Sequence, residues 1–293
     1  MQEKLNDCPV CGNGKFTHHL TCEDHFLSKE KFSIVKCDHC SFLLTNPRPD
    51  AQSIGNYYQS SAYISHTSKG NNLINVLYKG ARTFTLAGKV KMINRLTNNK
   101  SILDYGCGTG DFLKACKNNG WSVVGLEPDN KAREIASKNN HIQVLSSPDQ
   151  LSQLKSVGLI TLWHVMEHIN ELNETLGKLI AMLEKDGIML IAVPNHQSYD
   201  AQHYGAHWAA YDVPRHLYHF SQITMKMLLE NHGLKINQIL PMKLDSFYVS
   251  LLSEKYKYSR SNYLKSFING YKSNAYARKN NNNYSSLIYI ASK

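Results

Sequence analysis

The stretch that most constrains the fold of this 293-residue chain runs from Ile102 to Cys116. Residues 102–105 suit a short buried strand, a glycine-rich turn follows at 106–110, and residues 111–116 have helical character. Glycines at alternate positions let the backbone approach a ligand closely because they have no Cβ atom. A turn that opens a helix also offers free N–H groups to an anionic ligand group. The segment therefore predicts a ligand-binding strand–turn–helix unit.

The spacing of the glycines distinguishes a dinucleotide from other nucleotide ligands. A dinucleotide-binding fingerprint reads G-x-G-x-x-G. Counted from Gly106, its third glycine would fall at Asp111, whereas the third glycine here is Gly110. Glu127 ends the next apolar run, 122–126, where a carboxylate suits the two hydroxyls of a ribose. This pattern disfavours a dinucleotide and leaves a Rossmann-like domain with another nucleotide as an alternative.

As a set, these residues resemble the S-adenosylmethionine (SAM) site of class I methyltransferases. The resemblance covers about residues 84–240 and a predicted last strand at 286–291. It implies that Asp104 lies near the methionine amino group and that Glu127 holds the ribose. It implies the following cofactor-binding residues: Asp104, Tyr105, Gly106, Cys107, Gly108, Gly110, Glu127, Pro128, Trp163 and His164.

Apolar runs alternate with helical patterns through the middle of the chain, which predicts a parallel sheet. Strands are expected at 101–105, 122–126, 142–145, 157–163, 187–193, 234–240 and 286–291. Helices are expected at 71–97, at 169–183 and from 221 to 229. The predicted fold is therefore α/β, a Rossmann-like class I methyltransferase sheet of about seven strands with helices on both faces.

Four of the seven cysteines form two C-x-x-C pairs, Cys8 with Cys11 and Cys37 with Cys40. Four thiolates suit tetrahedral Zn²⁺, and a hairpin can fill the 25 residues between the pairs. Cys22 and nearby histidines are alternative ligands, and a redox C-x-x-C is the weaker alternative. We expect a structural zinc ribbon that holds residues 41–49 against the rest of the protein.

These patterns predict five regions. They are a zinc ribbon at 1–49, a helical N-terminal cap at 50–98, a SAM-binding core at 99–244, a helical basic insertion at 245–285 and a final core strand at 286–293.

The segment after the fourth predicted core strand is the first candidate for acceptor chemistry. His164, Glu167 and His168 stand at i, i+3 and i+4, which predicts one face of a helix. The triplet is similar to the E-x-x-E-H metal motif of the small-RNA 2′-O-methyltransferases, with His164 in place of the first glutamate. A divalent metal here is therefore an open alternative, and His164 is a catalytic candidate.

The second candidate is the loop 207–221, which is dense in His, Tyr and Arg. Its part from 214 to 221 resembles a sequence of bacterial zinc-ribbon methyltransferases linked to cell-surface polysaccharide and secondary metabolism. Histidine titrates near neutrality, so His216 is the predicted general base. Arg215 would hold an acceptor phosphate or carboxylate, and Tyr211 is a further catalytic candidate. Alternatively, Arg215 and His216 only tie the loop to neighbouring groups.

The net charge of +10 is concentrated in residues 255–293, which hold eight Lys or Arg and no Asp or Glu. This basic tail favours an anionic small-molecule acceptor, with membrane-surface contact and nucleic acid as further options and a solvated face as the alternative. No apolar run is long enough to cross a membrane, and the first residues lack an apolar signal region. We therefore expect a cytoplasmic protein.

The predicted function is SAM-dependent methyl transfer to a hydroxyl, or a carbon, of a small or nucleotide-linked biosynthetic acceptor such as a sugar. An RNA methyltransferase is the first alternative, although the chain lacks an N-P-P-Y motif. A non-catalytic SAM-binding module is the second, because residues 156–160 lack the acidic residue that usually begins the fourth strand of the family.

Overall fold

A computed structural model describes residues 1–58, 73–260 and 262–293. The chain forms two compact units. The first unit comprises Met1–Ser60, His164–Leu172 and Ala192–Tyr289, and the second comprises Ser61–Trp163, Asn173–Ile191 and Ile290–Lys293. The first two residues of the helix predicted at 71–97 lie outside the described residues, and the helix begins at Leu73.

The strands are β1 (Gln2–Glu3), β2 (Phe16–Glu23), β3 (Lys31–Cys37), β4 (Leu43–Thr45), β5 (Arg48–Pro49), β6 (Ser101–Tyr105), β7 (Ser122–Leu126), β8 (Gln143–Leu145), β9 (Val157–Trp163), β10 (Leu183–Pro194), β11 (Tyr218–His219), β12 (Lys235–Pro241) and β13 (Ser286–Ser292). The helices are α1 (Leu73–Leu96), α2 (Asp111–Lys117), α3 (Asn130–Asn140), α4 (Leu172–Met182), α5 (Tyr199–Tyr204), α6 (Gln222–Asn231), α7 (Asp245–Tyr258) and α8 (Tyr263–Ala277). Short 3₁₀ turns connect several of them.

Seven strands form one sheet in the order β12-β13-β10-β9-β6-β7-β8. β6 runs parallel to β7 and β9, and β7 runs parallel to β8. This order and the helices that flank the sheet confirm the predicted Rossmann-like methyltransferase fold. Two boundaries were predicted wrongly by three residues or more. α4 begins at Leu172 rather than 169, because the residue after the preceding 3₁₀ turn, Ile169, is extended. β10 begins at Leu183 rather than 187.

The second unit is built on apolar strands. Every residue of β9 before Trp163 is buried, which agrees with a strand covered on both faces. α4 buries Leu172, Leu176 and Leu179, the apolar face that its spacing predicted. Burial of each such leucine stabilises the fold by about 2 kcal/mol.

The first unit contains a smaller sheet in the order β11-β4-β3-β2. β2 and β3 form the hairpin that fills the gap between the two cysteine pairs. The far edge comes from the distant loop, because Tyr218 pairs with Leu44 and His219 pairs with Leu43. An apolar cluster that includes Phe32, Ile34 and Trp208 packs in this unit.

The insertion before the last strand contains two helices, α7 and α8, where the sequence indicated one helical segment. Among the residues that the structure describes, no helix is long and apolar enough to span a membrane.

Candidate functional site

The glycine-rich turn between β6 and α2 has the backbone that its sequence predicts. Gly106, Gly108 and Gly110 have φ angles of 74°, 54° and 78°, in the left-handed region that favours glycine. The N–H groups of Gly106 and Cys107 both donate to the Leu126 carbonyl, at 2.7 and 3.0 Å. The turn is therefore fixed against the end of β7.

Glu127 is held by the same turn. Its Oε2 accepts a hydrogen bond from the Gly108 N–H at 2.8 Å, and its Oε1 accepts one from the Asp129 N–H at 2.9 Å. Burial raises the pKa of Glu127, and these two backbone bonds oppose that rise. The carboxylate is thus oriented next to the glycine turn.

Asp104, in β6, is buried and accepts a hydrogen bond from the Thr161 hydroxyl at 2.6 Å. Burial raises the pKa of Asp104 to about 7, against the opposing effects of Thr161 and the Lys89 charge. A cationic group bound beside this carboxylate would stabilise its ionised form.

Trp163 ends β9 in the same unit. The Lys89 ammonium lies 3.8 Å from the centre of the indole ring, and the Phe112 ring packs edge-on at 5.5 Å. The indole Nε1 is buried and has no hydrogen-bond partner among the described residues. Trp163 thus presents an unused donor within the second unit.

The other predicted cofactor residues of the second unit differ in exposure. Tyr105 and Cys107 are buried, whereas Pro128 is exposed. A Cβ atom placed on Gly125 would lie 2.6 Å from the Cys107 sulfur, so that sulfur requires glycine in β7. His164 belongs to the first unit.

The four cysteines of the C-x-x-C pairs converge in the first unit, with all sulfur atoms within 4.8 Å of one another. Cys8 and Cys40 are 3.5 Å apart, as are Cys11 and Cys37. Tetrahedral zinc with Zn–S bonds of 2.3 Å implies sulfur–sulfur distances of about 3.8 Å. The cluster is therefore compatible with a zinc ribbon.

Each pair forms a tight turn that ends in a left-handed residue. The Gly12 N–H donates to the Cys8 carbonyl, and the Ser41 N–H donates to the Cys37 carbonyl. Gly12 has a φ of 72° and Ser41 has a φ of 64°, so Ser41 occupies a position that favours glycine.

The segment after the second cysteine pair contacts the loop that carries His216. The Thr45 hydroxyl donates to the His216 carbonyl at 2.8 Å, and the Thr45 N–H donates to the Leu217 carbonyl at 3.0 Å. The Leu217 N–H in turn donates to the Glu167 carbonyl at 2.8 Å. The cysteine-bearing module thus positions the backbone on which His216 lies.

Glu167, His168 and His216 form a second group of metal-ligand type, with candidate ligand atoms within 4.8 Å of one another. The rings of the two histidines pack edge-on, with centroids 4.6 Å apart. The predicted helix face of His164, Glu167 and His168 is wrong. Residues 166–168 form a 3₁₀ turn, and His164 has a φ of 55°, so the third member of the group is His216 rather than His164.

The two histidines of this group share one hydrogen-bond pattern. Nδ1 of His216 lies 2.8 Å from the Ala210 carbonyl oxygen, and Nδ1 of His168 lies 3.0 Å from the Arg215 carbonyl oxygen. A carbonyl only accepts, so Nδ1 of His216 donates its proton and Nε2 of His216 is left as an acceptor in the neutral ring. Nδ1 of His168 also lies 2.9 Å from the Tyr58 hydroxyl, which can donate or accept. Burial lowers the pKa of His168 to about 4, which keeps that ring neutral.

Glu167 is completely buried, and neither of its carboxylate oxygens has a hydrogen-bond partner among the described residues. Burial alone would raise the pKa of Glu167, but the neighbouring His164, His216 and His168 outweigh burial and lower it. Glu167 is therefore an ionised, buried carboxylate whose Oε1 lies 3.4 Å from Nδ1 of His164.

His164 has the opposite character. Its Nε2 lies 3.1 Å from Asp245 Oδ2, and its Nδ1 lies 3.4 Å from Glu167 Oε1. Burial would lower the pKa of His164, but these carboxylates raise it to about 10. A ring that is protonated at neutral pH cannot accept a proton, which disfavours His164 as a general base. The sequence did not indicate Asp245, which is remote in the chain.

Arg215 and Tyr211 are both buried. Arg215 Nη2 lies 2.9 Å from Asp24 Oδ1 and 2.6 Å from Asp212 Oδ1, so its guanidinium forms internal ion pairs. This favours the alternative in which Arg215 ties the loop to neighbouring carboxylates. Tyr211 packs edge-on against Trp208, and burial raises its pKa.

Residues 81–239 match a family described as a methyltransferase domain. The chain is 27% identical over 191 residues to the ubiquinone biosynthesis O-methyltransferase of Pelagibacter ubique (strain HTCC1062), covering 61% of this chain and 79% of that protein. It is 24% identical over 139 residues to the protein of the same name from Rhodopseudomonas palustris (strain BisB5), covering 45% of this chain and 55% of that protein.

Among solved structures, magnesium protoporphyrin IX methyltransferase from Synechocystis PCC 6803 with bound SAH has a TM-score of 0.52 and 13% sequence identity. That comparison covers 83% of this chain and 99% of that one, and it shows a shared fold. Since the family match spans more than half of the sequence, the chain belongs to the class I SAM-dependent methyltransferases.

Proposed function

We propose that this enzyme methylates a hydroxyl of a small or nucleotide-linked biosynthetic acceptor, such as a sugar. Methyl transfer to a carbon of such an acceptor is the alternative. The observation that carries the SAM-dependent part is the turn of three left-handed glycines between Asp104 and Glu127. The O-methyltransferase names of the relatives support a hydroxyl over a carbon.

The second unit supplies the residues that would hold SAM. Asp104 would pair with the methionine amino group, since a cation relieves its raised pKa. Glu127 would accept hydrogen bonds from the ribose hydroxyls, and Trp163 would contact the cofactor. When bound, SAM supplies the electrophilic methyl group.

For the first unit, we propose His216 as the general base. Its Nδ1–H donates to the Ala210 carbonyl, so Nε2 presents the lone pair that accepts a hydroxyl proton. Asp212 Oδ2 lies 4.0 Å from Nε2 and would stabilise the ring once it is protonated. His216 therefore has both the tautomer and the neighbouring charge that a base requires.

A second role for the same histidine has its own support. Glu167 is ionised and buried, and its carboxylate lies within 4.8 Å of ring nitrogens of His168 and His216. Metal-binding histidines generally donate their other ring N–H to a carbonyl or carboxylate, as His216 does to the Ala210 carbonyl. In this alternative, Glu167, His168 and His216 would hold a divalent cation, which would supply a Lewis acid for the acceptor oxygen.

We also propose that Cys8, Cys11, Cys37 and Cys40 hold a structural Zn²⁺. Four cysteines close the tetrahedral shell, so this site is structural and leaves no position for a substrate.

The first test is a calorimetric titration of metal-analysed protein with SAM, S-adenosylhomocysteine and NADH. We expect saturable binding of both SAM-type ligands, no signal with NADH, and transfer of a labelled methyl group into a fraction of cell extract. Folded, zinc-loaded protein that binds no SAM would overturn the proposal. Binding of SAM without transfer to any fraction would favour the non-catalytic alternative.

The His216 variant separates the two roles. His216→Ala should reduce turnover by roughly 1,000-fold and leave SAM affinity unchanged. His232→Ala, at the residue that follows α6, is the matched control. If His216 acts only as the base, a chelator that leaves the cysteine-bound zinc in place has no effect on turnover. If the cation operates, that chelator abolishes turnover and added Mg²⁺, Mn²⁺ or Zn²⁺ restores it.

RNA remains the alternative acceptor. It would be supported by an RNA affinity that falls steeply with salt and by labelled methyl groups in RNA rather than in small molecules.

A further inference from the structure

The helix α8 buries its polar face and exposes its apolar face. The residues that it buries are small or polar: Ser266, Asn269, Gly270, Ser273, Asn274 and Ala277. Its large apolar side chains face solvent: Tyr263, Leu264, Phe267, Ile268 and Tyr271 are 70%, 71%, 61%, 41% and 62% exposed. An ordinary surface helix buries its apolar stripe.

The buried polar face of α8 makes hydrogen bonds within its unit. Asn269 Nδ2 donates to the Tyr204 hydroxyl at 2.9 Å, and the Ser273 hydroxyl donates to Asp200 at 2.7 Å. A Cβ atom on Gly270 would lie 2.6 Å from the Phe247 ring, so close packing against α7 also fixes the orientation. The helix therefore cannot rotate its apolar side inward without breaking these contacts.

The exposed residues form a continuous stripe, because positions 263, 264, 267, 268 and 271 follow helical i, i+3 and i+4 spacing. Tyr248 and Leu244, in and just before α7, are also more than half exposed. We call Tyr263, Leu264, Phe267, Ile268 and Tyr271 the apolar stripe. Exposed contiguous patches of this kind mark interaction sites.

The charge around the apolar stripe identifies the partner. Lys265 and Lys272 are exposed and, by helical spacing, lie along one edge of the stripe. Arg278 and Lys279 follow the helix, and no acidic residue occurs between 255 and 293. A second copy of the chain docked through the same stripe would place like charges against each other. An anionic lipid surface complements both the apolar stripe and the basic edge.

We propose that α8 is an interfacial helix that inserts the apolar stripe into the headgroup region of an anionic bilayer. Tyrosine is suited to that region because it has an apolar ring and a polar tip. Lysine and arginine would attract anionic headgroups. This inference goes beyond the methyltransferase function and does not depend on the identity of the acceptor.

The test is co-sedimentation of the full-length, zinc-loaded protein with vesicles of phosphatidylcholine alone or mixed with phosphatidylglycerol. We expect binding to the anionic vesicles that is at least roughly 10-fold stronger and that weakens with salt. The double variant Leu264→Ser/Phe267→Ser should lose roughly 10-fold or more of that binding. The double variant Lys265→Gln/Lys272→Gln should lose a similar factor and most of the salt dependence.

Two matched controls remove an exposed apolar residue or an exposed charge outside α8. Ile223→Ser removes an exposed apolar residue from α6, and Lys185→Gln removes an exposed charge from β10; neither should alter vesicle binding. Retained SAM binding and zinc content show that each double variant is folded. No vesicle binding by the wild-type protein, equal binding to neutral vesicles, or self-association that Leu264→Ser/Phe267→Ser abolishes would overturn the proposal. Failure to bind SAM is a separate result that bears only on the proposed function.

Discussion

Two buried carboxylates, Asp104 in the second unit and Glu167 in the first, have opposite electrostatics. Asp104 receives a hydrogen bond from Thr161, yet burial raises its pKa to about 7. Glu167 Oε1 lies 3.4 Å from Nδ1 of His164, and the neighbouring histidines lower the pKa of Glu167 despite its burial. The comparison teaches that burial alone does not set the charge of a carboxylate, and that the nearest charged groups decide it.

The first test of this difference between the two units is at the cysteine cluster, which belongs to the same unit as Glu167. Cys37→Ser should reduce bound zinc from about one ion per chain to near zero, at a cost on the order of 10 kcal/mol in metal-binding free energy. Turnover should fall by roughly 100-fold because the loop that bears His216 loses its support. Metal analysis and turnover measure this, with Cys22→Ala as the control that keeps zinc.

SAM affinity is the discriminating measurement for Cys37→Ser. The cysteines belong to the first unit and the residues that would hold the cofactor belong to the second, so calorimetry should give an unchanged dissociation constant. Retained zinc in Cys37→Ser would contradict the four-cysteine site.

The second test removes the negative charge of Glu167. Glu167→Gln should lower turnover by roughly 1,000-fold, about 4 kcal/mol, with SAM affinity unchanged, because either a cation or a charged His216 loses its negative partner. Glu171→Gln removes an exposed carboxylate nearby and should leave turnover unaltered. Near-normal turnover of Glu167→Gln would remove Glu167 from the chemistry.

The third test concerns the pH dependence of Asp104. Its folded pKa of about 7 exceeds the ordinary 3.8, so the folded state binds the proton more tightly than the unfolded state. Stability therefore falls as pH rises through this window. The free energy of unfolding of the wild type minus that of Asp104→Asn should decrease by up to about 4 kcal/mol between about pH 4 and pH 7.

Urea unfolding at a series of pH values measures this difference, with the exposed Asp186→Asn as control. A difference that stays flat with pH would show that Asp104 has an ordinary pKa in the folded protein.

The smallest effect is expected at the link between the cysteine-bearing module and the loop. Thr45→Val preserves shape but removes the hydroxyl that donates to the His216 carbonyl. The free energy of unfolding should fall by about 1 to 3 kcal/mol. Thermal unfolding measures the loss, and Thr17→Val, on the exposed side of β2, should change stability by less. If the two variants lose the same free energy of unfolding, the hydrogen bond from Thr45 to the His216 carbonyl does not stabilise the fold more than an exposed threonine does.

Local patterns were enough to predict the sheet. Each of the seven predicted strands is present, because apolar runs such as Val157–Trp163 are covered in any α/β arrangement. The glycine turn was equally predictable, because the left-handed backbone of Gly106, Gly108 and Gly110 follows from the local sequence and does not depend on distant residues. The division into five regions stays a prediction.

The helix α7 shows where pattern reasoning failed. It buries Ser246, Ser250 and Ser253, so an apolar-inside template does not detect it. In the same way, the partners Asp24 of Arg215 and Asp245 of His164 lie far away in sequence. Only the fold brings them together, so no local motif could have indicated them.

The pairing of β4 with β11 has a consequence for synthesis on the ribosome. Thr45 and His219 are 174 positions apart, so one side of β4 stays unpaired until the later segment has been made. At ordinary translation rates this interval is on the order of 10 to 35 seconds. The nascent N-terminal module thus carries an open strand edge for that time, and shielding by a chaperone would be of most use there.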